Sequence, residues 1–211
     1  LRPRAYRRGR IRDESTERDF AAAGKRRAAP EFAIVSAVPV TQGCRMYNST
    51  SEIALMKKAN EVTLRAYEHV YRDLDKGMRP ADVKALMRNA QASLGGSGIW
   101  NMALFGPASA YPHGTSSEQE IEDGQIVLMD CGGSVHGYQS EISRTFVYGE
   151  PSKRQREVWS TVRKGQQIAF EVAQPAVPAG KVDDAVRSYY ESLGYGPDYA
   201  TPGLSHRTGH G

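Results

Sequence analysis

The sequence has 211 residues, of which 39% are hydrophobic and 25% charged, and its net charge is +4. This composition excludes a wholly disordered chain, and the length allows one domain plus part of another. No run reaches the roughly 20 apolar residues of a membrane span, and no signal peptide is visible. We therefore expect a cytoplasmic protein without a membrane partner. Two cysteines alone, Cys44 and Cys131, exclude a disulfide scaffold and a thiolate zinc site.

The basic residues are concentrated at the beginning of the chain. Residues 1–27 contain ten Lys/Arg and four Asp/Glu. Such a block is capable of contacting nucleic acid, but Tyr6 is the only aromatic residue among the first twelve, so we expect a solvated segment and no nucleic-acid partner. The chain starts at a leucine and stops in a glycine-rich turn, and we expect a fragment of a longer protein.

The first third of the chain predicts the end of one domain and the start of another. Residues 14–29 predict a helix that ends before Pro30, and residues 31–37 alternate like a strand. Residues 38–48 contain Pro39 and Gly43 and are typical of a linker. We therefore place residues 1–43 in an N-terminal domain with its linker, and residues 44–211 in a second domain.

Two helices are predicted next. Ser49 and Glu52 form the pattern of a capping box, and Gly77 is expected to end this helix. Pro80 begins a second helix that ends at the glycines 95–96. Residues at helical spacing predict a buried face on each: Ile53, Met56, Asn60, Thr63, Tyr67, Val70 and Leu74 on the first, and Val83, Leu86, Met87, Ala90 and Leu94 on the second. We expect both helices to serve packing alone.

Strands follow at 99–105, 125–131 and 138–148, and two further helices at about 152–174 and 181–193. The order is a helix pair, strands and a second helix pair. Short connections between the strands favour antiparallel pairing, so the predicted fold class is α+β.

The strands at 125–131 and 138–148 contain two carboxylates that suit a metal site. If the hairpin axis falls between Val135 and His136, then Asp130 and Glu141 are directly opposed across the two strands. Like charges at that separation repel unless cations lie between them, and hard divalent ions prefer carboxylate oxygens. The alternative is that Asp130 is an ordinary turn residue and Glu141 points to solvent.

Three histidines strengthen the metal hypothesis. His113 lies in the run YPHG, and His206 and His210 lie four residues apart in HRTGHG. Neutral imidazole is a metal ligand and also moves protons near neutral pH. A single histidine is more often a satisfied hydrogen-bonding group, and the glycines at 209 and 211 argue against a helical pairing of the last two.

These motifs together resemble the pita-bread metallopeptidases, which include prolidases, aminopeptidase P, methionine aminopeptidases and creatinase. The run from Met129 to Phe146 (MDCGGSVHGYQSEISRTF) is similar to the family's D-x10-D metal hairpin, YPHG to its upstream substrate-histidine motif, and HRTGHG to its HxxxH motif. The start of the second domain, RMYNSTSEIALM at 45–56, resembles the prolidase and aminopeptidase P branch. The resemblance covers roughly residues 40–211.

The resemblance implies a role for each of these residues. Asp130, Glu141 and His210 are metal ligands, with Glu141 standing where the family has a bridging aspartate. His113 and His206 are catalytic residues that hold substrate and stabilise the tetrahedral intermediate. Two further glutamate ligands of the family lie beyond residue 211, so we expect these 211 residues alone to be inactive.

The implied fold is a pita-bread domain preceded by the tail of an N-terminal domain, and the implied enzyme is an Xaa-Pro dipeptidase or aminopeptidase. Two divalent ions, manganese in the first place and cobalt or zinc otherwise, share a water whose hydroxide attacks the carbonyl before proline. The partners are a proline-containing dipeptide or peptide and, for the full-length protein, a second copy in a homodimer. The alternatives are a non-catalytic pita-bread module, which the departure at Glu141 favours, and a creatinase-like hydrolase of a small substrate.

Overall fold

The computed structural model describes residues 10–13, 33–111 and 113–208. The predicted helix at 14–29 lies outside the described residues. The described elements are, in chain order, β1 (Arg10–Asp13), β2 (Ala33–Ser36), α1 (Val38–Arg45), α2 (Thr50–Asp73), α3 (Pro80–Ser93), β3 (Ser97–Phe105), a 3-10 turn (Gly106–Ala110), β4 (Ile126–Val135), β5 (Tyr138–Val147), α4 (Lys153–Val172) and α5 (Ala179–Ser192).

The segment predicted as a linker is a helix instead. Strand β2 lies within the predicted 31–37 and pairs in parallel with β1. Helix α1 follows at once, with Pro39 in its first turn, where a missing N–H costs nothing. None of its residues is buried. Pro39 and Gly43 are the residues that made this sequence typical of a linker.

Helix α2 begins as predicted. The Ser49 hydroxyl accepts the Glu52 N–H at 3.3 Å, and the Glu52 carboxylate accepts the Ser49 N–H at 2.7 Å, which completes the capping box. The helix ends at Asp73, earlier than predicted, and Gly77 lies in the following turn with φ +82°. Thr63, Tyr67 and Val70 are buried as expected, but Ile53 is 40% exposed. The buried face is completed by small side chains that bring the helix close to the sheet: Ala59, Val62 and Ala66.

The three-stranded sheet has the order β3-β4-β5 and is antiparallel throughout. This arrangement, with the helices, confirms the predicted α+β class. Strand β4 is longer than predicted because it continues through Gly132 and Gly133. Helices α2 and α3 pack on one face of this sheet. The core between them is apolar and centres on Val70, Val83, Met87, Phe105, Ile121, Val127, Met129 and Cys131.

Helices α4 and α5 pack on each other, and α4 also contacts the hairpin. The Trp159 indole donates to the Thr145 carbonyl at 3.2 Å, and the Gln155 amide donates to the Gly124 carbonyl at 2.8 Å. Within the described ranges, no helix combines the length and the apolar character that crossing a membrane requires.

Tyr67 connects α2 to both strands of the hairpin. Its hydroxyl lies 2.9 Å from the Met129 carbonyl on β4 and 2.6 Å from the Ile142 carbonyl on β5. The side chain is 8% exposed, and burial raises the pKa of its hydroxyl above the ordinary value. The group is therefore a neutral donor at all physiological pH values, and it serves two buried carbonyls at once.

We expect Tyr67→Phe to destabilise the domain by about 1–3 kcal/mol, because it removes a buried hydrogen bond that connects α2 to both strands. Tyr71→Phe is the matched control, since Tyr71 lies one turn further along α2 and is 67% exposed. Urea unfolding monitored by circular dichroism measures both. Equal free energies of unfolding for the two variants would contradict this role of Tyr67.

Candidate metal and substrate site

The β4–β5 hairpin turns at His136 and Gly137, one residue later than predicted. Val135 pairs with Tyr138, and the two turn residues have φ values of +51° and +85°. Positive φ at both central positions is the requirement of a type I′ turn, which matches the twist of the strands. Consequently Asp130 pairs with Ser143, so the predicted direct pairing of Asp130 with Glu141 is wrong.

The two carboxylates nevertheless share one face of the hairpin. Glu141 pairs with Gly132, which lies two residues from Asp130 on the same strand and therefore on the same face. Diagonal neighbours of this kind are roughly 7–8 Å apart at the backbone, within reach of long side chains. Asp130 is half-buried and Glu141 is exposed. The offset leaves more room between the carboxylates than direct opposition would.

Neighbouring groups orient Asp130. The Ser143 hydroxyl, directly across the strands, donates to Oδ1 at 2.6 Å. On the other face, Cys131 is fully buried, and burial followed by the charge of Asp130 raises the pKa of its thiol to about 11. The thiol is therefore neutral, and the negative charge of this part of β4 is confined to the Asp130 face.

A chain of buried hydrogen bonds holds the hairpin from below, and sequence reasoning missed it. The Gln91 amide donates to Thr63 Oγ1 at 3.0 Å, and Thr63 Oγ1 lies 2.7 Å from Ser140 Oγ. Ser140 Oγ in turn contacts the N–H and the carbonyl of Gly133, each at 3.2 Å. One consistent direction satisfies every hydroxyl, from Gln91 through Thr63 and Ser140 to Gly133. The helices expected only to pack thus position the residues beside Glu141 and Gly132.

Apolar side chains border the carboxylates on the same face. Trp100 pairs with Gly132, and Met102 pairs with Asp130. A Cβ placed on Gly132 would lie 2.6 Å from the indole Nε1 of Trp100, so the ring lies across this glycine. Trp100 remains 39% exposed. The face therefore offers two anionic groups next to an apolar surface.

His113 is exposed in the loop that precedes β4, and its neighbour Gly114 lies beside this face. A Cβ on Gly114 would lie 3.7 Å from Met102 Sδ. Because Met102 is opposite Asp130, the loop brings Gly114, the neighbour of His113, next to the hairpin.

His206 is exposed in the segment that follows α5, whereas His210 lies outside the described residues. The Arg187 side chain donates to the carbonyl of His206 at 3.0 Å, and Nδ1 of His206 lies 3.2 Å from the Arg207 carbonyl. Sequence reasoning also missed Arg187 and its partner Asp183. An acid and a base four residues apart are typical of any exposed helix, so the pattern carried no specific signal.

Across the part of the chain that the structure describes, no three His, Cys, Asp or Glu side chains meet as a metal-binding cluster. The donor set that is present fits divalent cations, because Asp130 and Glu141 are hard oxygen ligands on one face and Ser143 orients one of them. These two residues would supply the carboxylate half of a metal centre.

The fold and this face define an α+β domain with a candidate metal-binding hairpin. Residues 54–211 match the metallopeptidase family M24, and the chain belongs to that family. It is 31% identical over 172 residues to the Xaa-Pro dipeptidase of Pyrococcus furiosus, covering 81% of this chain and 49% of the relative. A probable dipeptidase, PepE, of Mycobacterium tuberculosis is 34% identical, covering 84% and 46% respectively.

Solved structures give the same fold. The prolidase of Pyrococcus furiosus superposes with a TM-score of 0.80 at 27% identity, over 90% of this chain and 57% of that one. An Xaa-Pro dipeptidase of Bacillus anthracis gives a TM-score of 0.83 at 26% identity, over 96% and 56%. The expected pita-bread fold and the prolidase and aminopeptidase P branch are confirmed. The chain spans about half the length of the curated relatives it matches.

Gly132 is a point at which the hairpin tolerates no side chain. Besides the Trp100 indole, a Cβ there would clash with the backbone carbonyl of Ser140 on β5, which is unable to rotate away. We expect Gly132→Ala to cost about 1–3 kcal/mol through overpacking and to displace the strand that carries Glu141.

The matched control is Gly43→Ala, at a helical position where nothing lies within 4 Å of the added Cβ. We expect that variant to stabilise by about 0.5–1 kcal/mol, since alanine favours the helix. Chemical unfolding of both variants measures the two changes in the free energy of unfolding. A Gly132→Ala variant as stable as the parent would contradict this prediction, because it would mean that β4 and β5 move apart without a loss of stability.

Proposed function

We propose that the full-length protein is an Xaa-Pro dipeptidase that hydrolyses the peptide bond before proline and depends on two divalent metal ions, manganese in the first place. A cytoplasmic location and a homodimer are parts of the same proposal. One observation carries it: Asp130 and Glu141 share a face with the apolar Trp100 and Met102, in a chain of the M24 family. The relatives named as Xaa-Pro dipeptidases support this substrate class.

Each part of this face suits one need of the reaction. When bound, two divalent cations supply a Lewis acid and lower the pKa of a water molecule that becomes the nucleophile. Asp130 and Glu141 would hold them, together with His210. The exposed indole of Trp100 and the thioether of Met102 offer a surface to the apolar pyrrolidine ring of a proline substrate.

The two remaining histidines would act on the substrate. His113 follows the 3-10 turn and is exposed, and its neighbour Gly114 lies beside Met102. His206 is exposed in the segment that follows α5. An imidazole near the scissile carbonyl would donate a hydrogen bond to the oxygen as charge develops there. Both residues would therefore bind and orient substrate, while His210 would be a ligand.

The direct test uses the full-length protein. We expect it to hydrolyse Xaa-Pro dipeptides, to lose this turnover in a chelator such as EDTA, and to regain it with Mn²⁺. The physical reason is that carboxylate ligands bind hard divalent ions reversibly. Release of free proline measures the rate.

Dipeptides with alanine in place of the C-terminal proline, and creatine, are the controls for substrate class. Turnover that survives exhaustive chelation would contradict the metal-dependent mechanism. Turnover of creatine but of no dipeptide would support the creatinase-like alternative. A protein that binds the dipeptides without cleaving them would be the non-catalytic module.

Among the three proposed ligands within these 211 residues, Glu141 is the one that departs from the family pattern. Glutamate keeps the charge and both oxygens of aspartate but adds one methylene, about 1.5 Å of reach. Metal–oxygen distances tolerate only about 0.2 Å. The diagonal register offsets Glu141 from Asp130, so the longer side chain has more room to fold back than direct opposition would leave. The expected result is a perturbed site that still binds at least one ion.

We expect Glu141→Asp, in the full-length protein, to raise Mn²⁺ affinity by about tenfold, or about 1.4 kcal/mol, and to raise turnover with it. Titration of Mn²⁺ against activity in the two proteins measures the change. Glu141→Gln, which keeps the length and removes the charge, is the control and should bind more weakly than either. An aspartate variant equal to or worse than the parent would identify Glu141 as an adapted ligand, and the non-catalytic alternative would lose its main support.

A further inference from the structure

The segment that carries His206 is held to α5 by one ion pair. Arg187 Nε donates to Asp183 Oδ2 at 2.6 Å, one helical turn away. Both side chains are shielded, with 12% of Arg187 and 20% of Asp183 exposed. On the same helix, the pair Lys181–Asp184 is 69% and 63% exposed. Of these two pairs, only Asp183–Arg187 is shielded from solvent.

The contacts of this pair go to the backbone of residues 198–208. Arg187 Nη1 donates to the carbonyls of Asp198 and Leu204, the latter at 2.8 Å, and Nη2 donates to the carbonyl of His206 at 3.0 Å. Asp183 Oδ1 accepts the N–H of Thr208 at 2.6 Å. A planar guanidinium has donors in a fixed fork, so carbonyls bound to it have a fixed arrangement.

Two further observations show that the pair is adapted to this segment. The guanidinium carbon of Arg187 lies 4.1 Å from the centroid of the Tyr199 ring, in cation–π contact. Burial raises the pKa of Asp183, but hydrogen bonds from Arg187 and Thr208 outweigh it, and the pKa falls below its ordinary value. The carboxylate is therefore ionised near neutral pH and holds both Arg187 and the backbone of Thr208.

We propose that Asp183 and Arg187 are positioning residues for the reaction, because they fix the backbone on both sides of His206 and so restrict the position of its imidazole. The carbonyl of His206 and the N–H of Thr208 are bound to two groups of one ion pair, which leaves the imidazole itself uncommitted to the clamp. This inference rests on the proposed function for its kinetic consequence, but not for its structural one.

The variants are Arg187→Lys and Asp183→Asn in the full-length protein, with Asp184→Asn as the matched control on the same helix. Lysine keeps the positive charge but replaces the fork by a single ammonium, which is unable to bind three carbonyls in the same arrangement. Asparagine keeps the shape of Asp183 and removes its charge. The control removes one charge from the exposed pair.

The first measurement is hydrogen exchange of the peptide that spans residues 198–208, and it does not depend on activity. We expect faster exchange in Arg187→Lys and Asp183→Asn and no change in Asp184→Asn. Unchanged exchange in the first two variants would overturn the clamp itself.

The second measurement is kinetic and distinguishes positioning from general stability. We expect kcat for an Xaa-Pro dipeptide to fall about 10–100-fold in Arg187→Lys, as for residues that orient functional groups in metal sites, with a smaller change in KM. In a His206→Ala background the same substitution should cost less than about threefold, because the group that it positions is already absent. Full additivity of the two losses would overturn the proposal that Arg187 acts through His206.

The two proposals fail separately. A parent protein that cleaves no Xaa-Pro dipeptide would overturn the proposed function, whereas the exchange measurement would still decide whether the clamp exists. A parent that is active, with Arg187→Lys equally active and slow to exchange, would overturn the clamp alone.

Discussion

The register of the β4–β5 hairpin is the constraint on which the candidate site depends. A slip of one residue would move every side chain to the other face of the sheet. Asp130 would then enter the apolar core, where an unpaired charge is strongly disfavoured, and Met129 and Cys131 would leave it. The turn at His136 and Gly137 selects the same register independently, since both residues have positive φ. The conformational preferences of the turn residues and the burial of the strand side chains therefore favour the same register.

Helix α2 reinforces this register through two hydrogen bonds to β5, and the bonded residues have a similar spacing on the helix and on the strand. Thr63 and Tyr67 are four residues apart on the helix, a rise of about 6 Å. Their partners on β5, Ser140 and Ile142, are two residues apart on a strand, about 6.7 Å. The near match lets one helix face make both hydrogen bonds at once. A slipped strand would present Glu141 where Ser140 now lies, so the buried hydroxyls specify one arrangement where apolar contacts alone would accept several.

The sequence was most informative where structure is local. The capping box at Ser49, Pro80 at a helix start and the order of strands and helices depend on neighbouring residues, and each was predicted. The predicted hairpin turn was one residue too early, which shifted every cross-strand partner by two residues, although the residues at the turn favoured the observed position. A turn centred on Val135 and His136 would require positive φ at a β-branched residue, whereas His136 and Gly137 adopt it more readily.

Contacts between distant segments were beyond sequence reasoning. Thr63, Gln91 and Ser140 are ordinary polar residues until the fold brings them together, and no spacing in the sequence links them. The pair Asp183–Arg187 has the spacing of a solvent-exposed helix pair, and only the path of residues 198–208 gives it a tertiary role. Helix α1 was missed for a local reason, because Pro39 and Gly43 are typical of a linker.

The two parts of the candidate site are held by different forces, and the difference follows from what each must present. The carboxylates lie on two paired strands, β4 and β5, whose opposite face packs on the core, and this packing fixes their place. The His206 segment follows the last helix and is mostly exposed, so apolar packing offers it little. An ion pair that binds backbone carbonyls and an N–H supplies the missing order. Because such a clamp makes its hydrogen bonds to the main chain, it orders the segment and leaves the imidazole of His206 out of the clamp.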